Sequence, residues 1–415
     1  MRTLRSRQRG AATLLVSVML LFAMTLMAAY ANRNLVFEQR SAANLVRSTQ
    51  AFEAAEAGAE WAVAMLNQRS RIDADCRPST QPLDRSFRER RLRYNAADGM
   101  QQALAWDDAG KPSALLASCV HSAGGWACSC PMNGLPTLST PAGADAHPAF
   151  TVQFAPATQP GMVRLSVTGC TSTGSTCTGN AAAHVQMLLG LVPGLSTLPA
   201  APLTAKAGVA MTGSIGIHHA DAAAGSLTVH SGADVLLPSA RITTAPGSPA
   251  VLSIAERDGN LAALAGDAFF AAYFGLDPGA WRDQTVAARL SCATDCGAAV
   301  AAALADGTQL VWIDGDLAID GPLTLGSRDH PVIVAASGTV RLRGGVVLHG
   351  VVYGGSRVRW DDTGADVALL RGAVVSQGSV EGNGAPDIVY DGAVLAALKN
   401  NSGSFARVPG SWRDF

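Results

Sequence analysis

Between Ala11 and Ala31 the chain runs for 21 residues without a charge, directly after Arg2, Arg5, Arg7 and Arg9. A helix of that length crosses the roughly 30 Å hydrocarbon core of a bilayer. Basic residues on its N-terminal side predict a cytoplasmic N-terminus, with everything after Ala31 beyond the membrane. A cleavable secretion signal is the rival, since Ala28, Ala29 and Ala31 offer small residues of the kind found at such cleavage sites.

The residues that follow argue for a retained segment. No proline occurs before Pro78, and the first glycine after Gly10 is Gly58. Leu45, Phe52, Ala55, Ala59, Ala62 and Leu66 recur at steps of three, four and seven, which places them on one helical face. The spacing predicts one helix over residues 11–67, roughly 85 Å long at 1.5 Å per residue. Its first half is apolar on all sides and its second half is amphipathic.

Arg-Gln-Arg-Gly, ending at Gly10 and followed directly by Ala11 and Ala12, resembles the type III signal of type IV pilins. In that family a prepilin peptidase cuts after the glycine and the new N-terminus is methylated, which here implies cleavage between Gly10 and Ala11. The retained segment then serves first in the inner membrane and later in the filament core. Losing the four arginines shifts the formal net charge from −1 to −5. Most pilins carry glutamate at the fifth mature position, which is Leu15 here; the first acid of the mature chain is Glu38. The stretch VFEQRSAANLVRSTQAFEAAEAGAEWA resembles the stalk of PilX-type minor pilins, a subclass that also lacks that glutamate. The resemblance implies a subunit at the filament tip, or one that helps initiate assembly. Its implied partners are other minor pilins, the major pilin and the prepilin peptidase, with a tip adhesin as a further candidate.

Residues 73–195 read as a β-rich head. AFTVQFAP and GMVRLSVTGC alternate apolar and polar positions, and AAAHVQMLLGLV is suited to complete a sheet against the amphipathic half of the helix. Cys76, Cys119, Cys128, Cys130, Cys170 and Cys177 lie here, and Cys292 and Cys296 further on. An even number outside the cytoplasm favours disulfides. Cys170–Cys177 and Cys292–Cys296 are the expected local pairs, while the other four cysteines leave three connectivities open. Cys128-Ser-Cys130 lacks a second two-cysteine unit or spaced histidines, so no metal and no cofactor is expected.

After the proline-rich linker LVPGLSTLPAAPL the texture changes to short alternating strands broken by Gly and Asp-Gly, with 43 glycines in the whole chain. This predicts stacked coils of a parallel β-solenoid over residues 200–400, with helices interrupting at about 261–305. An antiparallel sandwich is the alternative. The expected fold class is therefore α+β: a leader (1–10), a long pilin helix (11–67), a β-rich head, a solenoid-like module and a C-terminal tail (401–415).

Polysaccharide-cleaving solenoids need converging carboxylates. Asp314, Asp316 and Asp320, and later Asp361, Asp362 and Asp366, read as turn residues, with calcium as the alternative. His218-His219 reads as a solvated loop. No phosphate loop or nucleophile elbow is present, and a net charge of −1 gives no ground for a nucleic-acid partner. An assembly protein rather than an enzyme is expected; a membrane-anchored adhesin or glycan-binding protein outside any filament is the other reading.

Overall fold

The computed structural model describes residues 9–95, 99–103, 116–132, 134–142, 147–172, 181–361, 364 and 366–414. Helix α1 spans Arg9–Asn67, 59 residues that contain no proline. Helix α2 (Phe87–Arg91) opens with a reciprocal cap: Glu89 N–H donates to Ser86 Oγ, and the Glu89 carboxylate accepts from Ser86 N–H at 2.9 Å.

The head sheet contains β1 (Ala117–Ser122), β2 (Gly125–Ser129), β3 (Ala149–Pro156), β4 (Met162–Cys170) and β5 (Ala182–Pro193), paired antiparallel. One face of these strands is buried under α1: Phe150, Val152, Val163, Leu165 and Val167 pack with Ala55, Ala59, Ala62 and Leu66. The approach is close because the residues are small. A side chain at Gly169 would overlap the backbone of Ala51 and Ala55, and one at Gly58 would lie 2.7 Å from Phe150 and Val167. The docked face begins at Ala51; Leu45, expected on it, is exposed because it lies beyond the reach of the sheet.

A parallel β-solenoid follows, and every ladder described between Leu203 and Val389 is parallel, which excludes the sandwich. Its early strands are β6 (Leu203–Ala205), β7 (Val209–Met211), β8 (Gly216–His219), β9 (Val229–Ser231), β10 (Val235–Leu236), β11 (Arg241–Thr244) and β12 (Ile254–Ala255). The chain then forms α3 (Gly259–Ala263), α4 (Gly266–Phe274) and α5 (Pro278–Arg282), strand β13 (Ala287–Ser291) and α6 (Gly297–Ala305). Further coils are built from β14 (Leu310–Asp314), β15 (Leu317–Asp320), β16 (Leu323–Leu325), β17 (Val332–Ala336), β18 (Thr339–Arg343), β19 (Val346–Gly354) and β20 (Arg357–Asp361). The last coil holds β21 (Leu369–Ser376), β22 (Ser379–Gly382) and β23 (Asp387–Val389).

The stacking order is not the chain order. One sheet runs β11-β8-β23-β21-β19-β17-β14-β13 and the other β10-β7-β22-β20-β18-β15. The first coil, β6 to β8, therefore stacks directly on the last, β21 to β23. Helices α4 and α5 carry the chain back along the outside of the larger sheet. There Phe269, Phe270, Phe274 and Trp281 bury Trp312, Ile333, Tyr353 and Val375 in a core separate from the one inside the coils. Between coils, Gly350 (φ 143°) and Gly372 (φ 137°) are directly paired, and a side chain at either would overlap the neighbouring carbonyl.

Two boundaries differ from the expected ones. The interrupting segment is not wholly helical, because β13 pairs in register with β14, and that ladder overrides its alanine content. The segment read as a tail supplies two head strands: α7 (Gly392–Asn401) leads into β24 (Gly403–Arg407), which pairs antiparallel with β5, as does β25 (Arg413–Asp414). The solenoid is thus an insertion into the last hairpin of the head, between Pro193 and Gly403.

Candidate functional site: the assembly helix and its docked head

Helix α1 has two environments. Leu14, Leu15, Phe22 and Leu26 are more than half exposed, whereas Ala55, Ala59, Ala62 and Leu66 are fully buried against the head. The chain from Ala12 has a window of mean hydropathy 2.3, long and apolar enough to cross a membrane. Gly10 and Ala11 lie in the first turn, where there is no acid, and Leu15 follows one turn later with its side chain exposed. A bare apolar rod of this kind can pack only against lipid or against other apolar helices.

The docked end is fixed by polar contacts to the returning C-terminal strand. Asn67 Nδ2 donates to Phe405 O at 2.9 Å, while its Oδ1 accepts from Phe405 N–H at 2.7 Å. Arg407 pairs with Glu60 of α1. Gln101 Nε2 donates to Asn400 O at 2.7 Å. Helix, head and inserted module therefore share one junction.

Disulfides join Cys76 to Cys130, Cys119 to Cys128 and Cys292 to Cys296. Cys170 is disulfide-bonded; Cys177 lies outside the described residues. The first bond ties the loop before α2 to the end of β2, and the second links β1 to β2 across their hairpin.

Sequence reading did not single out the arginines of RSFRERRLR. Arg88, Arg90 and Arg91 are all buried on α2. Arg90 meets Asp84 at 3.1 Å and donates to Cys130 O at 2.8 Å. Arg88 donates to Gly403 O at 2.9 Å and lies 4.5 Å over the Phe405 ring. Burial, and after it the nearby Arg69 charge, push Arg88 well below the usual arginine range; burial pushes Arg69 and Arg91 down to about 10. A charge run normally marks a solvated face, so only the flanking apolar Phe87 and Leu92 hinted at burial here.

His218-His219 is a strand rather than a solvated loop. His218 Nε2 sits 3.3 Å from Asp387 Oδ1, a residue 169 positions away and so invisible to local spacing. His219 is fully buried and stacks on Tyr390 at 3.9 Å. Of the candidate aspartates, Asp314 pairs with Arg289, Asp316 accepts from Thr339 N–H at 2.7 Å and Asp320 faces Arg343 at 3.9 Å. Asp361 is shared by Arg341 and Arg359. Asp366 is exposed and Asp362 lies outside the described residues. Among the described residues, Asp314, Asp316, Asp320 and Asp361 each contact a neighbouring strand, and the candidate aspartates form no cluster of metal-ligand type.

The helix is thus half bare and apolar and half docked on an antiparallel sheet. Residues 9–60, 52 of the chain's 415, match the family model described as PilX N-terminal. The chain is also similar to the crystal structure of the competence-associated pilin ComZ from Thermus thermophilus, at 13% identity over 89% of this chain and 97% of that one, with a TM-score of 0.25. No curated protein matches the chain.

Proposed function

We propose that the protein is a minor pilin that takes part in initiating type IV pilus assembly and sits at the filament tip. The match of residues 9–60 to the PilX N-terminal family carries this reading. On it, the prepilin peptidase cuts between Gly10 and Ala11, and Ala11 becomes the methylated N-terminus in an inner-membrane precursor whose ectodomain faces the periplasm. The bare half of α1 passes from lipid to a bundle of neighbouring pilin helices, where apolar packing supplies cohesion. Leu15 offers no carboxylate to an adjoining N-terminal amine, so the subunit suits a position where that pairing is not needed. The inserted solenoid supports the same position, since repeating so large a module along a shaft would crowd adjacent heads.

Purified filaments test the proposal. Immunogold against the solenoid is expected at one end only, and mass spectrometry of the same material is expected to find methylated Ala11. Label spaced along the shaft overturns the tip position. Protein absent from filaments and cut near Ala31 overturns the pilin reading altogether and favours a secreted protein.

A further inference from the structure

Arg69 and Arg88 form an unusual pair. Arg69 follows α1, Arg88 lies on α2, and the two bind carbonyls two residues apart on the returning chain: Arg69 Nη2 to Asn401 O at 3.3 Å and Arg88 Nη1 to Gly403 O at 2.9 Å. Their charges repel each other, and the Arg88 residue is 2% exposed. Arg69 Nε, Arg88 Nε and Arg88 Nη2 are buried without an acceptor. The neighbouring carboxylate, Glu89, offsets part of both charges, while its Oε2 accepts from Ser86 N–H and Ser86 Oγ at 2.9 Å in the α2 cap. From the solenoid side, Gly307 (φ 92°) closes against the Arg69 carbonyl, where a side chain would not fit.

Buried cations are ordinarily paired, and one left uncompensated is destabilising. Arg88 and the partly exposed Arg69 share one nearby carboxylate, Glu89, so two positive charges with three donors lacking an acceptor leave the junction net positive and suited to one further negative charge. We propose that Arg69 and Arg88 bind one small inorganic anion of halide size, which fastens the inserted module to the head. The size follows from closure: the Arg88 guanidinium has almost no solvent contact, so an extended carboxylate or phosphate ester would have to open the junction to enter. Neutralisation at this point joins three segments distant in sequence, the end of α1, α2 and the strand that returns from the solenoid.

The full chain in detergent can be tested directly. Crystals grown or soaked in sodium bromide are expected to show an anomalous peak within hydrogen-bonding reach of both guanidiniums. The thermal midpoint is expected to rise by about 2 °C per tenfold increase in bromide above its dissociation constant, at ionic strength held with bulky methanesulfonate. Arg88→Met is expected to abolish that rise. No bromide at the junction, or a water or protein carboxylate in its place, overturns the proposal. So does a bromide response that is unchanged in Arg88→Met. The crystallographic arm uses the unaltered protein and stands even where the variant folds poorly.

Discussion

Arg91 shows what a buried cation does to a fold when backbone alone receives it. Its guanidinium donates to Pro131 O at 3.1 Å and lies 5.6 Å from the centre of the Phe87 ring. Burial lowers its pKa from the usual arginine value to about 10, so the folded chain holds this proton less tightly than the unfolded chain does. The unfolded state then binds more protons above pH 10, and stability contributed by this group rises with pH from about 10 towards the usual arginine value. Below 10 the full penalty applies, about 3 kcal/mol at most. Arg91→Met retains much of the volume, removes the penalty and loses one hydrogen bond worth about 1 kcal/mol. The expected result is a variant more stable by about 1–2 kcal/mol near pH 7, with the gain narrowing near pH 10.5. Denaturant titration at the two pH values measures it. Destabilisation at both would mean that the carbonyl bond and the ring contact outweigh the buried charge.

Among the elements, the coils matter through their order. In a simple solenoid each coil rests on its sequence neighbours, so folding can start at any coil and spread. Here β6 pairs with β21 across a gap of about 170 residues, Leu203 opposite Val374, and the first coil has no sequence-adjacent neighbour on that side. The coil made first is completed by the coil made last, a high-contact-order closure. Hydrogen exchange read by mass spectrometry is therefore expected to show β6 to β8 and β21 to β23 losing protection together. Independent, earlier exchange of β6 to β8 alone would contradict a shared cooperative unit. This order is also what the sequence conceals. The continuous helix was legible because no proline or glycine interrupts Ala11–Ala57, and the solenoid because apolar alternation and glycine turns are local signals. Which coil touches which depends on register between strands far apart, and local alternation is the same for every order. The short strands β24 and β25 were illegible for a related reason: five and two residues carry too little pattern to reveal that they close the head. The buried arginines were missed because composition treats charge as surface.

On the scale of the whole molecule, insertion into a hairpin fastens the solenoid at two points, Pro193 and Gly403, which are direct partners in the head sheet. On the proposed tip position, two features confine the subunit to a filament end: this bulk, and a leucine rather than an acid at position 15. The paired ends make them separable. Because β5 and β24 already lie side by side, replacing residues 195–402 by a two- to four-residue turn leaves an antiparallel hairpin of ordinary geometry. The head core keeps Phe405, and the Asn67 and Arg407 contacts to β24 and α1 remain available. That shortened chain is expected to fold and still to label only the filament end, since Leu15 cannot supply the missing partner. Adding Leu15→Glu to it is expected to move label into the shaft, because both obstacles are then gone. Leu15→Glu in the full-length chain is expected to stay at the end, held there by the bulk of the module. Immunogold with an antibody to the head reads all three. Shaft label from the shortened chain with Leu15 intact would assign tip placement to bulk alone. End label from the doubly altered chain would assign it to partner choice elsewhere on the head.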